Sequence, residues 1–297
     1  MSPTAVVLVL VSATCHVGWN YLTKSSANPK AYTLWKGMVF IGIAVCALPM
    51  LPVASIPAAV WGYMIASGIL HALYLFALTT SYETGDISFV YPIARSAPAF
   101  VPFGAFLVFG ETLSLQGIAG VAVVVISTFL VHLRGDAPSY LRRLRASLGQ
   151  RDSAWALVTL ATVVTYSLVD KSAMVTFRDA EEVPHALRGL LYFLVEGSLC
   201  HVLFSLYAAT RRDLNLLAVL RREWWQVLLG GVGMLLSYSL ILHVMQSEPV
   251  SYIVALRQAS VLFAVLLGWL LLKESYGRLR LLASAGMVAG LVLVATA

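Results

Sequence analysis

Two arginines stand in the middle of long apolar stretches, Arg95 within Tyr91-Pro-Ile-Ala-Arg-Ser96 and Arg257 within Val254-Ala-Leu-Arg-Gln258. A guanidinium at the centre of a bilayer costs at least ~2.5 kcal/mol to insert and keeps its charge, so it needs a partner or a wet cavity. It also binds carboxylate or phosphate in a two-pronged geometry. Two such groups at nearly equivalent places in the chain suit an anionic ligand; the competing use is neutralisation by a fixed carboxylate or by helix carbonyls. Tyr91 lies one helical turn before Arg95 on the same face. Pro92, Pro98 and Pro102 each remove one helical hydrogen bond. They predict a kinked or locally open backbone, which a membrane tolerates where it lines a cavity.

Glu196 is the one carboxylate near the centre of an apolar stretch, and Arg95 or Arg257 is its natural partner. Ionised and paired, or protonated and unpaired, it suits proton-coupled exchange; His16 is a second candidate for coupling. His16, Trp19 and Asn20 occupy adjoining parts of one helical surface, where they can hydrogen-bond and stack on a solute. Tyr74 and Tyr238 fall at matched positions, and Tyr166 and Tyr252 recur in the second half, which suits a cavity lining. His71, His201 and His243 suit helix–helix hydrogen bonds. Asp170 and Lys171 are expected at the outer end of their stretch, and Glu111 and Glu274 as structural ends of theirs. Cys15, Cys46 and Cys200 lie singly and show no metal-ligand spacing. Phosphate-binding loops, His-Glu-x-x-His and nucleophile-elbow patterns are missing. No catalytic residue, metal or cofactor is expected, and the chain is not expected to be an enzyme. A membrane-embedded transferase would need a metal-binding carboxylate cluster; Asp179-Ala-Glu-Glu182 has no histidine companion.

The elements that must position these groups follow from composition. Hydrophobic residues make up 60% of the 297, charged residues 11%, and mean hydropathy is +0.84. A soluble domain carries roughly 25% charge. Ten apolar stretches start near residues 4, 31, 57, 86, 114, 153, 186, 223, 249 and 277. At 1.5 Å per residue, about 20 apolar residues cross the hydrocarbon core, and runs such as Val261–Leu272 lack the alternation of barrel strands. The expected fold is therefore all-α and integral to the membrane, with ten transmembrane helices. Of 20 Lys and Arg, 14 fall in the joints after stretches 1, 3, 5, 7 and 9; outside the stretches only Lys171, Arg178 and Arg188 lie elsewhere. The positive-inside rule then places both chain ends outside a bacterial inner membrane. That accounts for the net charge of +6 without a nucleic-acid partner. The richest joint, Ser139–Leu148, suits a short interfacial helix on anionic lipid.

The chain also resembles itself. Ser88 and Glu111 recur as Ser251 and Glu274, both 163 residues on, and Lys24-Ser recurs as Lys171-Ser after 147. This divides the chain into a first repeat (1–133), a basic cytoplasmic linker (134–152) and a second repeat (153–297). Five crossings is an odd number, so the second repeat enters from the opposite side, the inverted duplication from which many carriers are built. Gly286-Met-Val-Ala-Gly290 is a small-residue stripe suited to close helix packing or a homodimer contact.

Three segments carry a family resemblance. His16-Val-Gly-Trp-Asn-Tyr-Leu-Thr-Lys24, Tyr91-Pro-Ile-Ala-Arg-Ser96 with Phe109-Gly-Glu-Thr-Leu113, and Val250–Phe263 closing with Lys273-Glu274 resemble EamA-type transporters of the drug/metabolite transporter superfamily. The resemblance covers essentially the whole chain as two EamA repeats. It implies ten helices around a central cavity and secondary-active export or exchange of a small organic metabolite by alternating access. Together with the two arginines, it makes the expected solute anionic or zwitterionic. The candidate binding residues are Arg95, Arg257, Tyr91, Trp19, Asn20, Tyr74, Tyr238 and Tyr252, with Glu196 and His16 for coupling to protons. A flippase for a lipid-linked headgroup is the alternative. Members of the family usually keep both ends in the cytoplasm, the reverse of the charge count.

Overall fold

The computed structural model describes residues 1–84, 93–132, 151–178, 180–209, 216–272 and 278–297. Among them are eleven α-helices, two short 3-10 turns and no strand. The helices are α1 (Pro3–Ser25), α2 (Pro29–Ala47), α3 (Ala58–Thr84), α4 (Ala97–Phe109), α5 (Leu115–His132) and α6 (Arg151–Phe177). Then come α7 (His185–Ala209), α8 (Leu216–Met245), α9 (Val250–Leu256), α10 (Ala259–Leu272) and α11 (Arg278–Thr296). Six of them, α1, α2, α3, α6, α7 and α8, are long and apolar enough to cross a membrane, and shorter apolar helices supply the rest. The chain is a multi-pass membrane protein. Tyr91, Ser88, Glu274 and the basic segment 134–150 lie outside the described residues.

Local chemistry sets the helix ends. Asn28 caps α2, its side chain accepting from Ala31 N at 3.0 Å, and Pro29 follows in the first turn, where no N–H is needed. Gly110 ends α4 in the left-handed region at φ +64°, with Gly110 N bonded to Phe106 O and Glu111 N to Ala105 O. The eighth stretch begins earlier than the sequence suggested. Helix α8 starts at Leu216 and kinks at Glu223 (φ −124°, ψ 18°), where the carboxylate accepts from Ala27 N at 3.0 Å. The apolar run expected from 223 is the part beyond that kink.

The helices gather into two compact units, and each mixes the two halves of the sequence. One contains residues 1–10, 73–168 and 248–297. In it α11 lies along α5, and glycines make the close approach possible: a Cβ on Gly290 would meet Val124 Cγ2 at 2.9 Å, and one on Gly120 would meet Val294 at 2.9 Å. The small-residue stripe thus has a partner within its own unit. The other unit contains residues 11–72 and 169–247. There α2, α7 and α8 pack mutually, around a core that includes Ala31, Tyr32, Val219 and Val227. A reciprocal serine clasp ties α1 to α8: Ser12 Oγ donates to Ser237 O at 2.7 Å and Ser237 Oγ to Ser12 O at 2.9 Å. Such side chain–backbone bonds satisfy hydroxyls that lipid would leave unpaired.

Candidate functional site

Both arginines sit where a helix is interrupted. Arg95 lies in a turn immediately before α4, and Arg257 lies with Gln258 between α9 and α10. Prolines account for the first break, since Pro98 falls in the opening turn of α4 and Pro102 lies inside it. The second break has no proline. There the backbone bonds tighten to the i−3 spacing at Gln258, Ser260 and Val261, and the Gln258 side chain leaves its own helix to donate to Arg95 O at 3.1 Å. The two breaks are therefore joined directly, within one unit, across 163 residues of sequence. Each arginine is half-buried. Glu111, at the end of α4, caps α9: it accepts from Val250 N at 3.0 Å and from Ser251 Oγ at 2.9 Å. The Gly-Glu ending thus has two jobs, the left-handed stop of one helix and the cap of another.

Tyr252, on α9, is buried, and its hydroxyl accepts from Ser114 N at 3.2 Å. It lies over Gly117, where an added Cβ would collide with that hydroxyl. Tyr74 meets Tyr166 edge-on at 5.9 Å in the same unit.

The second unit holds the other sequence candidates. On α1, His16 meets the Trp19 ring edge-on at 5.0 Å, and Asn20 Nδ2 donates back to His16 O at 2.7 Å. Lys36 Nζ, on α2, stands 4.0 Å from the centroid of Trp19, a cation–π contact that holds a buried ammonium. Tyr238 belongs to a polar cluster in this unit.

That cluster is the feature the sequence reading did not assemble. Four helices contribute: Ser67 and His71 from α3, Asp170 from α6, Tyr192 and Glu196 from α7, and Tyr238 from α8. The i, i+4 spacing puts each pair on one face of its helix. Asp170, fully buried, accepts from Ser67 Oγ at 2.5 Å, from Tyr192 OH at 2.9 Å and from Tyr238 OH. Glu196, also fully buried, pairs with His71 Nδ1 at 2.8 Å, so its partner here is an imidazole of the same unit. The His71 ring meets Tyr238 edge-on at 5.2 Å. Gly68 lets α3 come this close to α7, since a Cβ there would stand 2.9 Å from Glu196 O. Asp170 is thus a core residue of this cluster, where the sequence suggested the outer end of a helix. Its neighbour Lys171 turns to Met245 O at 2.8 Å. The signal that was available is the recurrence of acid, imidazole and phenol at four-residue spacing in otherwise apolar helices.

Among the described residues no group of three or more His, Cys, Asp and Glu is placed to hold a metal ion. The arrangement offers two chemistries: guanidinium groups at backbone breaks in one unit, and a buried carboxylate–imidazole cluster in the other.

Comparison with known proteins gives a likeness of fold over the whole chain and a family match over one segment. A crystal structure with 15% sequence identity superposes with a TM-score of 0.74, covering 100% of this chain and 98% of that one. At that identity the likeness is one of fold. No curated protein matches the chain. Residues 186–296 match the model of the EamA-like transporter family.

Proposed function

We propose that the protein is a secondary-active carrier that exports or exchanges a small anionic or zwitterionic metabolite by alternating access. In this reading ten crossings form two inverted five-helix repeats around a central cavity, in a bacterial inner membrane with both ends outside. Arg95 and Arg257 bind the acidic group of the solute. The single observation that supports this most is the pair of backbone breaks at those arginines, linked by Gln258 on Arg95 O at 3.1 Å. Interrupted helices within a membrane expose backbone groups and charges at mid-depth, which is where carriers hold their solutes. With no ATPase motif in the sequence, a gradient supplies the driving force.

The test is a thermal-stability screen of the purified protein with amino acids, phosphonates, nucleosides and lipids. A ligand of the native state at 100 times its Kd adds about 2.7 kcal/mol of stability. An anionic or zwitterionic member is expected to raise the melting point of the wild type. Arg95→Ala and Arg257→Ala are expected to stay folded, lose that rise and lose transport in proteoliposomes. Full response in both variants removes the arginines from the site, and a response to lipids alone favours the flippase.

A further inference from the structure

We propose that Glu196, paired with His71 and backed by Asp170, binds one exchangeable proton, the coupling ion of transport. The proposal rests on the transport reading, to which it adds the driving ion and a place for it within a single unit.

Three titratable groups meet inside the unit. Glu196 and Asp170 are both fully buried, and His71 lies between their helices. Asp170 receives three O–H donors, from Ser67, Tyr192 and Tyr238, and so has the surroundings of a carboxylate that only accepts. Glu196 is held differently. His71 stands 2.8 Å from its Oε1, yet neither of its oxygens has a hydrogen-bond partner of good geometry among the described residues. Charge and proximity hold it, and Oε2 has room in its bonding for a proton.

Charge counting gives the number of protons. With both carboxylates ionised and His71 protonated, the trio carries one net negative charge. One added proton on Glu196 makes it neutral. A net charge sealed in a low-dielectric interior is costly, so the sealed cluster favours the proton-loaded form and water entry favours release. The proton comes from water and returns to water; an O–H bond forms and breaks, and nothing is oxidised or reduced. The other groups facing the cluster are Cys200 and His201 on α7 and Lys36 on α2; Cys200 interacts with Glu196, and His201 with His71 and Lys36. Lys36 itself is engaged by Trp19. No metal-holding set competes for the role among the described residues.

The test is infrared difference spectroscopy of the full protein in lipid, titrated in pH with the protonated-carboxyl band as readout. The wild type should show a buried carboxyl that titrates, shifts in heavy water and ignores sodium. Glu196→Gln should lose that band, and Arg95→Ala should keep it. His71→Gln is the second variant if Glu196→Gln does not fold; removing the imidazole 2.8 Å from Glu196 should raise the midpoint by about one pH unit or more, the worth of one charged partner. A band that survives Glu196→Gln, a midpoint unmoved in His71→Gln, or displacement of the band by sodium each overturns the proposal. Loss of the band in Glu196→Gln with solute binding intact in both arginine variants would leave the proton site standing and remove the arginine site.

Discussion

Three basic residues depart from the charge asymmetry of the chain, and their contacts explain why. Lys171 donates to Met245 O at 2.8 Å, Arg178 to Gln246 O, and Arg188 to Val183 O, Arg178 O and Ala180 O at 2.9–3.0 Å. Each binds carbonyls left over where helices end. Arg188 is the most constrained, being buried and engaged through all three guanidinium nitrogens. Arg188→Ala should cost roughly 2–4 kcal/mol, since it leaves three carbonyls without their charged donor. Arg188→Lys should recover little of that, because an ammonium cannot reproduce a planar fork. Denaturation in detergent micelles would measure both, and a Lys variant as stable as wild type would show that charge alone suffices. At this scale the sequence was partly legible. It singled out Glu196, but the 2.8 Å contact with His71 depends on how α3 packs on α7, which no local pattern encodes. The donors to Asp170 were illegible for the same reason: position along a helix says nothing of which hydroxyls neighbouring helices bring to it.

Helix boundaries were more legible than helix continuity. Asn28-Pro29 and Gly110 set helix ends through capping and the left-handed stop, which are local chemistry. The prolines around Arg95 likewise announced a disturbed backbone. Nothing local announced the break at Arg257–Gln258, which is sustained by a side chain reaching another segment at 3.1 Å. Packing of α5 on α11 shows the reverse case, where a sequence stripe had two readings and the structure supplies one partner for it. At Gly290 an added Cβ would stand 2.9 Å from Val124 Cγ2 and 3.0 Å from both Val123 Cγ1 and Val124 N. The last of these is backbone and cannot turn aside. Gly290→Ile should therefore separate the two helices at a cost of about 1–3 kcal/mol. Gly42→Ile is the control, since nothing lies within 4 Å of a Cβ there. Equal melting points for the two variants would show that the close approach at Gly290 does not matter to stability.

On the scale of the whole molecule, the sequence duplication and the spatial units divide the chain differently. The repeats expected from the sequence would run end to end, whereas each compact unit takes segments from both halves, and α1, α3 and α6 contribute residues to both units. Interleaving of this kind is invisible to a linear reading, which ranks neighbours by sequence distance. Orientation is the global property that sequence addresses directly. Lys171, Arg178 and Arg188 are accounted for by the carbonyls they hold. The remaining 14 basic residues outside the apolar stretches then share the alternate joints of one side. Each juxtamembrane Lys or Arg favours the cytoplasmic side, while acidic residues weigh little. The proposed topology, with the basic joint inside and the ends outside, rests on this bias. The check uses a background in which Cys15, Cys46 and Cys200 are replaced, with one cysteine added after Ala297 and, separately, Ser147→Cys in the basic joint. In intact cells an impermeant maleimide should label the terminal cysteine, and should reach position 147 only after permeabilisation. The opposite pattern would invert the topology, and with it the direction in which a proton gradient can drive the solute.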